Sequence, residues 1–163
     1  MSAITLVLDN VRSAQNVGAI VRSCASFGIK NIIACGITPY PKLAGDKRLP
    51  HVAERASVQI AKTALGGEKY VTFEHYDQTK TALAELRRRK HHIYAVEQDP
   101  RSIPLDTCRP KLPAAIVFGN EVSGISKSVL ARSDKIIEIP HTGPKASLNV
   151  AVAAGIILYK ACS

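Results

Sequence analysis

The sequence predicts an α/β domain, a single parallel sheet with helices on both faces. Three observations carry that prediction. Short β-branched apolar runs alternate with segments of helical periodicity along the whole chain. The strand-like runs are apolar throughout instead of alternating, as befits strands covered on both sides. The 163 residues, 46% of them hydrophobic, suit one core.

The elements follow in order. Ile4-Thr5-Leu6-Val7-Leu8 reads as a buried strand stopped by Asp9-Asn10. Val17, Ile20, Val21, Cys24 and Phe27 then recur at helical spacing, with Gly28 as the stop, and residues 31–35 form a second strand. This βαβ unit is the basis for a parallel sheet. Residues 36–50, with Pro39, Pro41, Gly45 and Pro50, make a long irregular connection of the kind that often carries function. A helix over 53–65 ends at Gly66-Gly67, and a strand is expected over 70–73. Asp77 is placed to cap a helix that turns Ala82, Leu83 and Leu86 inward, with Arg87 to Lys90 in its last turn, where the helix dipole favours cations. Strands are expected over 92–96, 114–118 and 136–139. The last helix, over 147–160, gathers Leu148, Val152, Gly155 and Tyr159 on one face. Neither a repeat nor a linker interrupts the pattern, so residues 1–163 read as one domain with no second domain.

Composition narrows the function. Lys and Arg number 22 against 13 Asp and Glu, a net charge of +9. Such a field favours polyanions, although a solubilising surface explains it equally well. Cys24, Cys35, Cys108 and Cys162 form no CxxC pair and sit among apolar residues, so buried, reduced thiols are expected. The five histidines show no ligand spacing, and no metal is expected. No run approaches the ~20 apolar residues of a membrane span, and the opening residues lead straight into a strand, leaving no signal peptide. A cytoplasmic protein is the expectation.

Three clusters stand apart from scaffolding. Asn16-Val17-Gly18-Ala19-Ile20-Val21-Arg22 opens the first helix directly after a strand, where free N–H groups can meet an anion. Asn16 as a plain N-cap and Arg22 as a solvated residue are the competing reading, and Gly18 completes no dinucleotide fingerprint. Phe118-Gly119-Asn120-Glu121-Val122-Ser123-Gly124 sets a carboxylate and an amide between two glycines at a strand's end. A glycine-rich turn with an exposed Glu121 remains open, and Ser123 lies outside any G-x-S-x-G elbow. The third cluster runs from Ile139-Pro140 through Gly143-Pro144-Lys145 to Ser147-Leu148-Asn149-Val150. It is not a phosphate loop, because Glu138 stands where the first glycine would be, and Ser147 can serve as an N-cap.

In this order, N-V-G-A-I-x-R, F-G-N-E-x-x-G and I-P-x-x-G-x-x-x-S-L-N-V, the clusters resemble the SpoU (TrmH) branch of the SPOUT RNA methyltransferases. The likeness covers nearly the whole chain, and residues 62–68 also resemble a connecting stretch of compact members. It implies S-adenosylmethionine bound in a C-terminal trefoil knot, a homodimer whose site draws on both subunits, and transfer of methyl to a ribose 2′-hydroxyl of tRNA or rRNA, tRNA being the first candidate. By position it implies catalytic roles for Asn16, Arg22, Glu121, Ser147 and Asn149. It also implies cofactor contacts near Val96, Gly119, Ile139 and Leu148. RNA capture would rest on Arg12, Lys42, Lys47, Arg48 and the stretch 87–90. A guanidinium is hard to deprotonate, so Arg22 is expected to clamp a phosphate beside the target ribose, with Asn16 and Glu121 holding it. A scaffold that binds RNA without methylating it is the alternative from another class. A small-molecule phosphate enzyme is a third reading, and the carboxylate of Glu121 counts against it.

Overall fold

The structure, a computed structural model, describes residues 3–145 and 147–163. Its strands are β1 (Ile4–Asp9), β2 (Asn31–Cys35), β3 (Thr72–Tyr76), β4 (His92–Val96), β5 (Ile103–Pro104), β6 (Ala114–Phe118) and β7 (Lys135–Glu138). They form one sheet in the order β3-β2-β1-β6-β4-β7-β5, and every pairing is parallel. The central β1 and β6 are buried at all positions, which is why both are written as unbroken apolar runs.

Alternate strand residues supply two cores. On one face Leu6, Leu8, Ile32, Ile116 and Phe118 meet α1 (Ala14–Ser26), α2 (Pro50–Ala64) and α5 (Val150–Cys162) through Ile20, Ile60 and Leu158. On the other, Val7, Ile33, Ala115 and Val117 meet α3 (Thr79–Arg88) and α4 (Lys127–Leu130) through Leu83, Leu86 and Val129. Helices on both faces are therefore present. The glycine of the first cluster serves this packing. A Cβ on Gly18 would collide with Ile60 O and Thr63 Oγ1 of α2, whose hydroxyl donates to Gln15 O at 2.9 Å.

Several boundaries differ from the sequence expectation for identifiable reasons. α2 begins at Pro50, not 53, because proline has no N–H to lose in a first turn. β3 begins at Thr72, since Gly66 turns the chain at φ 88° and the 3-10 turn Gly67–Tyr70 consumes Tyr70. Asp77 does not cap α3. The cap position is Gln78, and the helix start is tied down instead by the buried Thr79 hydroxyl, which donates to Asp9 Oδ1 of β1 at 2.5 Å. Arg87 and Arg88 occupy the last turn of α3, but Arg89 is its C-cap and Lys90, at φ 62°, lies beyond it. β7 spans Lys135–Glu138, so Ile139 has already left the sheet. α5 starts at Val150 under an Asn149 cap, leaving Ser147 and Leu148 outside the helix. Val152 and Tyr159 on the face expected to be apolar are 52% and 65% exposed, while Ala154, Ile157 and Leu158 are buried. All four cysteines are free. Burial pushes the Cys24 and Cys35 thiols up to about 12, but Cys162, at the end of α5, is exposed against expectation.

Candidate active site

Because all strands run the same way, every strand's carboxyl end opens on one edge of the sheet, where α/β proteins bind ligands. The segments after β4, β6 and β7 border a cleft of about 850 Å³ on that edge. Its tightest wall is residues 119–126. Asn120 and Gly124 pair across the turn at 3.0 and 3.2 Å, and Asn120 Oδ1 accepts from the amides of Val122 and Ser123. A Cβ on Gly119 would stand 2.6 Å from Ile125 Cγ1, and one on Gly124, at φ 66°, would meet the Glu97 carboxylate. That carboxylate, just past β4, accepts from Ile125 N at 2.9 Å and fixes the turn.

Glu121 projects from this turn to the start of α1. Its oxygens accept from Arg12 N at 2.9 Å, Ser13 N at 3.1 Å and Asn16 Nδ2 at 2.9 Å. Asn16 is therefore not the N-cap; Ser13 is, with its hydroxyl accepting from Asn16 N. Asn149 donates from Nδ2 to Asn16 Oδ1 at 3.1 Å while its own Oδ1 caps α5 at Ala151 N. The capping bond fixes the orientation of the Asn149 amide and, through it, of Asn16 and Glu121. Partial burial opposes ionisation of Glu121, but the Arg12 amide, the Asn16 side chain and the Ser13 amide outweigh it and hold the carboxyl below its usual range.

Of the residues singled out from sequence, Val96, Gly119, Glu121, Ser147, Leu148 and Asn149 line this cleft, and Asn16 joins by hydrogen bond. Ile139 does not; it borders a smaller depression with Gln98, His141 and Lys145. Arg22 is exposed and lines a separate depression with Gly66, Gly67 and Tyr70, so one chain does not bring it together with Glu121. A Cβ at Gly67 would stand 3.2 Å from Arg22 Cα, which accounts for the Gly-Gly pair.

The basic residues divide. Arg48 donates to Asp46 and to the carbonyls of Tyr40 and Pro41, and lies 3.5 Å over the Tyr40 ring, so it holds its loop together. Arg87 pairs with Asp134, Arg88 with Glu85, and Arg89 with Glu74 and Glu85. Arg12, Lys42 and Lys47 are exposed. Sequence reasoning missed Glu97, Asn120 as a turn lock, and Asn10, whose Oδ1 accepts from Ile37 N and whose carbonyl accepts from Asn120 Nδ2. A readable signal existed for Glu97, an acid directly after a strand, as with Glu121. Among the described residues no group of His, Cys, Asp or Glu is arranged to hold a metal, and no helix is long and apolar enough to cross a membrane.

Comparison with known proteins places this arrangement. Residues 3–159 match the model of the SpoU rRNA methylase family. The chain belongs to that family. It is 33% identical over 153 residues to the tRNA (guanosine(18)-2′-O)-methyltransferase of Aquifex aeolicus, covering 94% of this chain and 65% of the relative. The crystal structure of the A. aeolicus TrmH/SpoU tRNA modifying enzyme superimposes with a TM-score of 0.79 at 29% identity, over 99% of this chain and 75% of that one. An AdoMet-bound rRNA methyltransferase from Sinorhizobium meliloti shares the fold, with a TM-score of 0.80 at 23% identity over 97% of this chain and 55% of that one. The chain spans between 39% and 65% of the length of the first four curated relatives it matches.

Proposed function

We propose that this SpoU-family chain is a cytoplasmic methyltransferase that moves a methyl group from S-adenosylmethionine to a ribose 2′-hydroxyl in structured RNA, with tRNA as the first candidate. The observation that carries the reading is the hydrogen-bonded chain Asn149, Asn16, Glu121. Its members lie 133 and 105 residues apart and meet at the rim of one cleft.

The cleft fits the cofactor. Val122 and Leu148 offer exposed apolar surface for an adenine, the buried Phe118, Ile125 and Leu130 also border the cleft, and backbone groups of 97–99 and 119–126 are at hand. Glu97 and Glu121 outnumber Lys127 along the lining, Asp99 being paired with Arg101, a field that suits a cationic sulfonium. When bound, S-adenosylmethionine supplies the electrophilic methyl. The chain then has to orient a weak nucleophile. Glu121 and Asn16 hold the first turn of α1 in place, Ser147 and Asn149 shape the cleft mouth, and Arg22 clamps the phosphate beside the target ribose. We further propose that Arg22 reaches the cleft from a second copy of the chain. Support comes from an apolar surface on α1 and α5, where Phe27, Leu148, Val152, Ile156 and Tyr159 are 36 to 65% exposed. The trefoil knot that the resemblance implies belongs to this proposal, and the segments after β4, β6 and β7 that would form it border one cleft. The test is calorimetry with S-adenosylmethionine, followed by mass-spectrometric mapping of ribose methylation in RNA treated with the protein. Binding followed by 2′-O-methylation upholds the reading; absence of cofactor affinity returns the chain to a non-catalytic RNA-binding scaffold.

A further inference from the structure

A second cleft, of about 860 Å³, opens on the same sheet edge beyond β2 and β3 and takes no part in the cofactor site. The long connection between β2 and α2 forms one side. His51, Val52, Arg55 and Gln59, at helical spacing, form the other. The loop is fixed from within. The Thr38 hydroxyl, buried at its root, accepts from Val11 N at 3.0 Å and bonds to the carbonyls of Leu8 and Cys35. Tyr40 contacts the Arg48 guanidinium and stacks on His75 with ring centroids 4.3 Å apart. Asp46 takes up Arg48, while Asp77, 3.9 Å from His75, keeps its carboxylate exposed.

What remains is cationic and apolar. Lys47, His51 and Arg55 are exposed, and no hydrogen bond or ion pair among the described residues engages them. Ile37 and Val52 are 64% and 43% exposed on the same walls. A site for phosphate alone would have no use for apolar walls of this size, whereas cavities of ~300–1,000 Å³ with few polar groups suit a nucleotide-sized ligand. In the order of the sheet, three and a half strand spacings of ~4.8 Å separate the midpoints of the two clefts, about 17 Å. A stacked strand covers that distance in about five nucleotides at ~3.4 Å each.

We propose that this cleft is an RNA subsite that holds a nucleotide a few positions from the methylated one, its phosphate between Lys47, His51 and Arg55 and its base against Ile37 and Val52. The proposal rests on the RNA-methyltransferase reading for its choice of ligand. The loop is built before RNA arrives, so little ordering opposes binding.

The experiment measures affinity for fluorescein-labelled tRNA by anisotropy across a salt series, together with S-adenosylmethionine affinity by calorimetry. Three proteins are compared: the unsubstituted chain, K47E/R55E, and K30E/K111E, which carries the same charge change at the opposite edge of the sheet, before β2 and β6. Each lost phosphate contact lowers the slope of log affinity against log salt by about one. The expected result for K47E/R55E is an RNA Kd raised about tenfold or more and a slope reduced by about two, with cofactor affinity unchanged. K30E/K111E should change RNA Kd by less than about threefold. Equal losses in the two variants would overturn the subsite and leave only bulk charge. An unsubstituted chain that binds tRNA but neither binds the cofactor nor methylates overturns the enzymatic reading, while the difference between the variants still decides the subsite.

Discussion

Two clefts on one sheet edge differ in how they are made. The cleft beyond β4, β6 and β7 is walled by backbone, its glycines pressed against neighbours and its carboxylates spent on amides. The cleft beyond β2 and β3 is walled by side chains, an aromatic stack and a clamped arginine that leave Lys47 and Arg55 free. Identical strand geometry therefore yields an acidic and a basic site, and the turn residues decide which. Close backbone contact suits one bound shape; exposed long side chains suit a polymer whose sequence varies.

The largest expected effect separates binding from chemistry. Arg22→Ala should lower methyl transfer by ~10²-fold or more in single-turnover assays, the order that a lost positioning contact costs. Cofactor affinity should be untouched, because the partner proposed for Arg22 is the RNA phosphate and within its own chain it lines a separate depression. Turnover close to that of the unsubstituted chain would remove Arg22 from the site. Next comes Gly119→Ala. Its methyl would stand 2.6 Å from Ile125, and such overpacking costs ~1–3 kcal/mol. Melting should fall by several degrees at ~2–4 °C per kcal/mol, with cofactor Kd rising about tenfold and tRNA affinity held. Unchanged cofactor binding would show that the turn is not part of that site.

A smaller effect belongs to the basic cleft. Asp46→Asn weakens the hold on Arg48, so limited proteolysis should cut between β2 and α2 faster by a few-fold while cofactor affinity stays constant. An unchanged cleavage rate would mean that Tyr40 and the carbonyls suffice. The smallest effect lies outside both clefts. Hydrogen bonds from Arg88 and then Arg89 hold the Glu85 carboxyl down at about 2, and Arg89 lowers Glu74 as well. Depressed carboxyls stabilise the fold fully above their unfolded values and lose that contribution as pH falls toward the folded ones. The melting temperature should therefore slip as pH drops from about 4.5 toward 2, and E85Q should flatten that slope.

Much of this was legible in the sequence, for reasons that differ by region. β1, β2, β4 and β6 were readable because strands buried on both faces must be apolar throughout. The two-residue β5 was invisible, having no room for a pattern. Glu121 and Asn149 were readable as polar groups at element ends, whereas the depression beside Arg22 depends on how α1 meets the turn at Gly67, which no local pattern encodes. Asp77 was misread as a cap because composition cannot reveal that Thr79 would find Asp9 across the fold. Arg48 was misread as a free cation for the same reason. Its partner Asp46 is only two residues away, yet the pairing needs the turn around Gly45.

Asn10 joins the two halves of the working edge with a single side chain and a single carbonyl. Linkage of the two halves through one residue gives modularity. Segment 44–49 can be exchanged for a loop of another length and chemistry, provided that Ile37 and Thr38 keep their attachment to β1 and Tyr40 and Leu43 their packing on the core. A library of such grafts would vary the basic cleft while the cleft beyond β4, β6 and β7 stays intact.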